Sequence, residues 1–308
     1  MLLYACLKAI LVPMYTVVFL VNDWHYAHPF ISDYIQWHQF EMIFSFLVSV
    51  LIAFEYNFSM PKRKLINNSK WVCLMPLSFI LADNILWIGE GANHAFVLIH
   101  SLFILFFIKF IPRCPSLKHF LLKRFPLKFL LILKIAVFQS VLQSDTELFN
   151  LMIKLGFAGI LIFLIGLTWC HQLYRSTHRV FKIHFISSLC LLLIGLIWYG
   201  ANTFFDTFES YAFGDVHFLF ALGVSSVLLN LMIQVGYSIS SLPLKIHWAI
   251  YFMLGSLFLG GITRSVLPEI YFNYYFKILH FGMGFWTLSF IFYLFYFTPK
   301  FLKKDYLI

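Results

Sequence analysis

The sequence predicts an all-α fold: a polytopic transmembrane helix bundle of about ten helices, with both chain ends on the cytoplasmic side. Three observations predict it. Of the 308 residues, 61% are hydrophobic and 11% charged, where soluble domains carry roughly 25% charged residues. The apolar residues gather in segments about as long as a bilayer is thick, at about 20 residues per crossing. The loops between them alternate in charge, with Lys and Arg clustering in every second one.

The first helix, 2–21, is apolar apart from Lys8 and lacks a small-residue cleavage site, so it reads as a retained helix and not a removed signal peptide. The second, 38–58, opens at Trp37-His38. The third, 71–89, carries Asp83-Asn84, and the fourth, 94–112, carries His94 and His100. Lys134 and Gln139 lie in the fifth, 127–144. The sixth, 150–170, separates an acidic loop from a basic one. The seventh, 181–201, follows Arg175 and Arg179. His217 opens the eighth, 217–237, which also holds Asn230 and Gln234. The ninth, 246–264, starts after Lys245, and the tenth, 275–298, stops at Pro299.

Loop charge sets the orientation. The loops at 59–70 (Lys62, Arg63, Lys64, Lys70), 113–126 (Arg113, Lys118, Lys123, Arg124) and 171–180 (Arg175, Arg179) are basic, as are the tail residues Lys300, Lys303 and Lys304. Asp23, Asp33, Glu90, Asp145, Glu147, Asp206, Glu209, Asp215 and Glu269 occupy the loops between. The positive-inside rule then places both termini in the cytoplasm, which requires an even number of crossings. Arg264 and Lys277, beside the last outer loop, are the exceptions. With no long linker, low-complexity tract or internal repeat, residues 1–308 read as a single integral membrane domain.

The formal charge of +9 follows from those loops, so it speaks for topology and contact with membrane lipid, not for nucleic acid. Phe, Tyr and Trp make up 20% of the chain, as expected where rings pack against lipid and line its interfaces. Cys6, Cys73, Cys114, Cys170 and Cys190 form no C-x-x-C pair, which argues against a disulfide framework, a zinc knuckle or covalent haem attachment. No G-x-G-x-x-G, P-loop, G-x-S-x-G or H-E-x-x-H motif is present, so nothing points to nucleotide hydrolysis or proteolysis. No catalytic motif is identified.

Ionisable groups inside a bilayer are costly and mark a site by default. His38, His94, His100, His217 and His280 fall near the outer face, and His171, His184 and His247 near the inner one. A haem iron held by two histidines needs them at matching depth on facing helices. His38 with His217, or either with His100 or His280, meets the depth condition. His184 with His217 does not, because they begin opposite ends of about 30 Å of hydrocarbon. The plain alternative is that each histidine is interfacial and bonded to water or backbone. Glu41 is three residues past His38 on the same helical face: it orients the imidazole, ligates a metal itself, or is a partly solvated carboxylate one turn below the interface. Met42 is a soft copper ligand or simple packing. Asp83-Asn84, Gln139, Asn230 and Gln234 are buried polar groups without a pattern, and Gly282 and Gly284 near His280 permit close approach of a helix or cofactor.

Several stretches resemble one family. Trp37-His38-Gln39-Phe40-Glu41-Met42-Ile43-Phe44-Ser45-Phe46 is similar to the W-H-x-H-E-M-x-F-G-F signature of the NnrS family, polytopic bacterial inner-membrane proteins that bind haem and copper and are associated with nitric oxide and nitrosative stress. His217-Phe218-Leu219-Phe220-Ala221-Leu222-Gly223-Val224 resembles its H-A-L-T-x-G-A stretch, and Phe285-Trp286-Thr287-Leu288-Ser289-Phe290 through Pro299 its last helix. His184 stands where that family often has a histidine opening a helix. The chain has one helix pair fewer than is general there. Phe40 replaces the second histidine of the signature, Ser238–Leu242 replaces a G-H-T-G-R stretch, and Gly166–Leu173 replaces G-R-x-I-P-x-F-T. The resemblance implies a non-covalent b-type haem, with His38 and His217 as axial-ligand candidates, His184 and Glu41 as further cofactor-binding residues, and nitric oxide as a partner. The lost ligand types leave copper doubtful, and haem without stoichiometric copper is the expectation. Its location would be the bacterial inner membrane. A small-solute transporter with a polar midplane site, or a cofactor-free structural or assembly protein, are the readings from other classes.

Overall fold

Apolar runs of bilayer length offer the backbone no water, so its N–H and C=O groups must pair within the segment, and helix is the result. The structure is a computed structural model that describes residues 2–22, 38, 40–59, 98–99, 101–102, 104–105, 125–142, 147–148, 151–156, 158–161, 179–205, 214–240 and 247–302. Among these, all but the junction residues His247, Val266 and Tyr271 are helical, and there is no strand.

The main elements are α1 (Leu2–Asn22), α2 (a π-helical Glu41–Leu47 continued by Val48–Ser59), α3 (Phe125–Leu142) and α4 (Arg179–Phe205). They continue with α5, which runs through Gly214–His217, a π-helical Phe218–Val224 and Ser225–Ser240. Then come α6 (Trp248–Ser265, extended by Leu267–Ile270), a 3-10 turn at Phe272–Tyr274, and α7 (Tyr275–Leu302). Helices α4 to α7 stand where the seventh to tenth were expected, and α1, α2 and α3 where the first, second and fifth were. The third expected helix lies outside the described residues, and the fourth and sixth are described only in part. Among the described residues, four helices are long and apolar enough to cross a membrane: Lys182–Asn202, Gly214–Tyr237, Trp248–Ile270 and Phe272–Lys300.

The chain divides into two compact units, one of Met1–Lys8 and Asp23–Tyr174, the other of Ala9–Asn22 and Arg175–Ile308. All four long apolar helices belong to the second. There α5 is the central helix, with 72% of its apolar window buried, against 22% for α4 and 39% each for α6 and α7. Its neighbours reach it through glycines. A Cβ on Gly195 would stand 2.8 Å from the Leu219 Cα, and one on Gly223 would stand 2.9 Å from the Leu192 Cα, so α4 and α5 touch backbone to backbone. Helices α6 and α7 do the same, since a Cβ on Gly260 would lie 2.6 Å from the Trp286 nitrogen. Small residues at such crossings let dispersion contacts hold helices together where lipid removes the hydrophobic drive. The outer faces keep large apolar side chains exposed, including Trp248, Phe252 and Leu259 on α6 and Phe281 and Phe295 on α7.

In the first unit, α2 and α3 bury Phe40, Phe44, Phe46, Leu51, Leu127, Leu130 and Leu131. The Phe44 ring packs over Gly156, and Leu130 over Gly159.

Candidate functional site

Histidines that are to serve a cofactor must be positioned by rigid elements, and here the helices do so unevenly. His38 is half-buried and helical, three residues before the π-helix Glu41–Leu47. His217 is half-buried and immediately precedes the π-helix Phe218–Val224, with φ −70° and ψ −35°. A π turn shifts the hydrogen-bond ladder from i−4 to i−5, and such turns are frequent at functional sites. His38 belongs to the first unit and His217 to the second.

Glu41 is not a partly solvated carboxylate. It is 1% exposed, and its Oε2 lies 2.7 Å from the Lys8 Nζ, so an acid and a base from two apolar helices meet inside the first unit. Sequence reasoning treated Lys8 as a lone charge and Glu41 as facing His38 alone, and so missed the pair. Lys134, on α3, is completely buried. Its Nζ donates to the Phe44 carbonyl at 3.4 Å and sits 5.5 Å from the centre of the Phe40 ring. An ionisable residue inside an apolar run was the signal for it. Met42 is half-buried.

In the second unit His184 finds a partner that its sequence did not announce. Its Nδ1 lies 2.9 Å from the Asn230 Nδ2, and the Asn230 Oδ1 accepts from the Gln234 Nε2 at 2.7 Å. The two polar residues of α5 without a pattern thus form a neutral chain that ends on an imidazole. With the amides in this orientation Nδ1 accepts and Nε2 carries the hydrogen. Turning both amides over reverses the chain and frees Nε2 to ligate. His184 meets α5 at Asn230, about 20 Å along the axis from His217 at helical rise, so one iron does not take both.

His280 is exposed on α7, its Nδ1 2.6 Å from the Phe276 carbonyl. A carbonyl only accepts, so Nδ1 carries a proton in this contact, and in the neutral ring that proton leaves the lone pair on Nε2. Beside it His280, Phe281, Gly284, Phe285 and Leu288 line an open apolar groove of about 300 Å³. Helices α5 and α7 run parallel, since Tyr293 Oη donates to the Met232 carbonyl and Phe297 packs on Gly236. By that register His280 is nearly level with His217. It is turned outward, however, while Trp286, Phe290, Tyr293 and Phe297 form the buried face, so the depth condition is met without the facing condition. His247 caps α6, its Nδ1 accepting from the Ala249 nitrogen at 3.3 Å. His94, His100 and His171 lie outside the described residues, as do Asp83-Asn84.

The end of the second unit that holds His217 gathers further polar groups. The Glu269 Oε1 accepts from the Gly214 nitrogen at 2.9 Å, and Arg264 Nη2 donates to the Tyr275 hydroxyl at 3.3 Å. Asp215 is buried. Among the described residues no group of three or more His, Cys, Asp or Glu side chains is arranged to hold a metal ion.

No family model, no curated protein and no solved structure matches this chain.

Proposed function

We propose that the chain is a haem-binding membrane protein resembling the NnrS family, concerned with nitric oxide or nitrosative stress, with ten crossings, both termini cytoplasmic and the bacterial inner membrane as its location. The observation that supports the reading is made in each unit by itself: a candidate ligand histidine precedes a π-helix. His38 and His217 each stand at the threshold of a seven-residue π-helix, the only two π-helices among the described residues. A π turn re-aims the side chains around it, which is how a helix presents a ligand without a loop. His184, bonded to Asn230 and about 20 Å along α5 from His217 at helical rise, and His280, turned outward on α7, are not ligands of the iron that His217 would hold. Glu41 acts on the His38 region through its pairing with Lys8. The haem would be b-type and non-covalent, supplying an iron that binds a diatomic gas. Copper is not expected as a stoichiometric component.

An absorbance spectrum of detergent-purified protein tests this. A Soret band is expected in the wild type and should be lost or shifted in His38→Ala and His217→Ala, while His119→Ala, in a basic loop, should match the wild type. Unchanged spectra in both ligand variants would return the histidines to an interfacial role. Elemental analysis after dialysis against chelator should find iron without one copper per chain. A transport reading is favoured by one observation, the half-buried Lys8 and the buried Glu41 and Lys134, since ionisable groups within apolar helices also line solute paths. A colourless protein would move the case to it.

A further inference from the structure

Helix α7 turns Trp286, Phe290, Tyr293 and Phe297 into the second unit and leaves His280 and Leu288 exposed, with half-buried Gly284 one turn from each on the same face. Together with Phe281 and Phe285 these three line an open groove of about 300 Å³. Gly284 makes the gap in its floor, since an added Cβ there would have nothing within 4 Å. A flat ring can therefore lie against the helix backbone beside the two phenyl rings, which favour aromatic company. The volume is at the small end of ligand pockets, so it suits a single ring whose remainder extends into lipid.

The histidine selects the kind of ring. Its Nδ1 donates to the Phe276 carbonyl at 2.6 Å, so in the neutral imidazole Nε2 is an acceptor, and among the described residues nothing donates to it. An acceptor in apolar surroundings costs free energy until a donor reaches it. A lipid acyl chain fills such a groove but brings no donor. The ligand that answers both features is an apolar ring that carries a hydroxyl. Depth agrees with this. Tyr271, Tyr274 and Lys277 precede the groove, with the Lys277 Nζ 5.8 Å from the Tyr274 ring centre, and such residues gather where a membrane helix meets water. His280 stands three residues past Lys277, about 5 Å along the axis, on a helix long and apolar enough to cross a membrane. A ligand held there keeps its polar end just beneath the boundary and its apolar part among the lipid chains.

We propose that the His280 groove binds a membrane-soluble hydroquinone, its ring over Gly284 beside Phe281 and Phe285 and one hydroxyl donating to the His280 Nε2. The site does not rest on the haem reading. Protein in lipid nanodiscs is dialysed to equilibrium against durohydroquinone, under argon with a reductant, and separately against duroquinone, which differs only by the two hydroxyl hydrogens. The wild type should hold the hydroquinone about three- to ten-fold more tightly, the size of one neutral hydrogen bond. His280→Phe keeps an aromatic side chain without the acceptor, so its affinity for the hydroquinone should fall to that for the quinone, which should not change. Gly284→Leu has open space for its side chain, fills the floor of the groove and should lose both probes. If His280→Phe does not fold, Gly284→Leu and the ratio between the two probes keep the test available. A wild type that holds the quinone as tightly as the hydroquinone, or more tightly, overturns the proposal, because the imidazole is then not accepting. Undiminished binding by Gly284→Leu puts the probe elsewhere and overturns it as well. Binding of neither probe by the wild type leaves the groove to lipid chains, and the proposal fails.

Discussion

The two π-helices have the same length and follow a candidate histidine in each case, yet the chain closes them with opposite chemistry. In the first unit the Phe44 carbonyl receives the ammonium of Lys134 from another helix, and the residue that opens the stretch, Glu41, is ion-paired to Lys8 on a third. In the second unit the carbonyl at Phe220 receives the hydroxyl of Ser225 from its own helix at 2.8 Å, and the nearest polar chain is the neutral Gln234-Asn230-His184. One π-helix is held by charges delivered across helices, the other by a local hydroxyl and by close glycine crossings. A charge-built region is vulnerable to loss of a single partner, because the remaining ion is stranded. A region built from neutral bonds and backbone contact is vulnerable to added volume instead.

The largest expected effect tests the charged side. Glu41→Gln leaves the ammonium of Lys8, only 12% exposed, without its carboxylate, and stranding one partner of a buried pair costs about 3–5 kcal/mol. The midpoint of dodecyl-sulfate unfolding, followed by circular dichroism, should fall clearly. The double variant Lys8→Met with Glu41→Leu removes both charges and should recover most of the loss. A Glu41→Gln protein as stable as the wild type would mean that the pair does not hold the first unit together.

The second effect tests the close-packed side. Gly260→Ala drives a methyl to 2.6 Å from the Trp286 nitrogen, an atom of backbone that cannot swing away. Overpacking of this kind costs about 1–3 kcal/mol. Gly255, five residues earlier on the same helix, has nothing within 4 Å of an added Cβ, so Gly255→Ala should be neutral or stabilising through helix propensity, by up to about 1 kcal/mol. The pair shares chemistry and differs only in space. Equal midpoints would show that α6 and α7 are not in backbone contact at Gly260.

Part of the frame of this contrast was legible from hydropathy. The expected 217–237 appears as Gly214–Ser240, and 275–298 as Tyr275–Leu302, which continues through Pro299, with differences of about a turn at three of the four ends, where boundaries are least determined. The π-helices were not legible. A shift from i−4 to i−5 bonding changes neither the apolar content of a segment nor its length enough to register in a hydropathy window. Partner choice was also hidden. Nothing in the spacing of Lys8 and Glu41, or of His184 and Asn230, marks them as neighbours, because each pair joins different helices. The near-common level of His217 and His280 could be read, since it depends only on position along each helix. Facing could not, because α7 is apolar on both its buried and its lipid-exposed sides.

The smallest effect decides whether the local closure of the second π-helix matters. Ser225→Ala removes the hydroxyl that bonds the Phe220 carbonyl and changes little else, since Ser225 is 2% exposed and alanine fits the same space. Hydrogen bonds between groups inside membrane bundles average about 0.6 kcal/mol, so the midpoint should fall slightly, far less than in Glu41→Gln. The loss should be local: amide exchange from Phe220 to Ser225 should quicken, while exchange in α6 and α7 stays as in the wild type. If the variant instead shows no change in exchange anywhere, the π-helix is held by its backbone bonds and by packing against Gly195 and Gly261, and the hydroxyl is a bystander. If exchange quickens along the whole of α5, the hydroxyl is holding the register of the central helix, and the neutral side of the comparison would be as dependent on a single polar contact as the charged one.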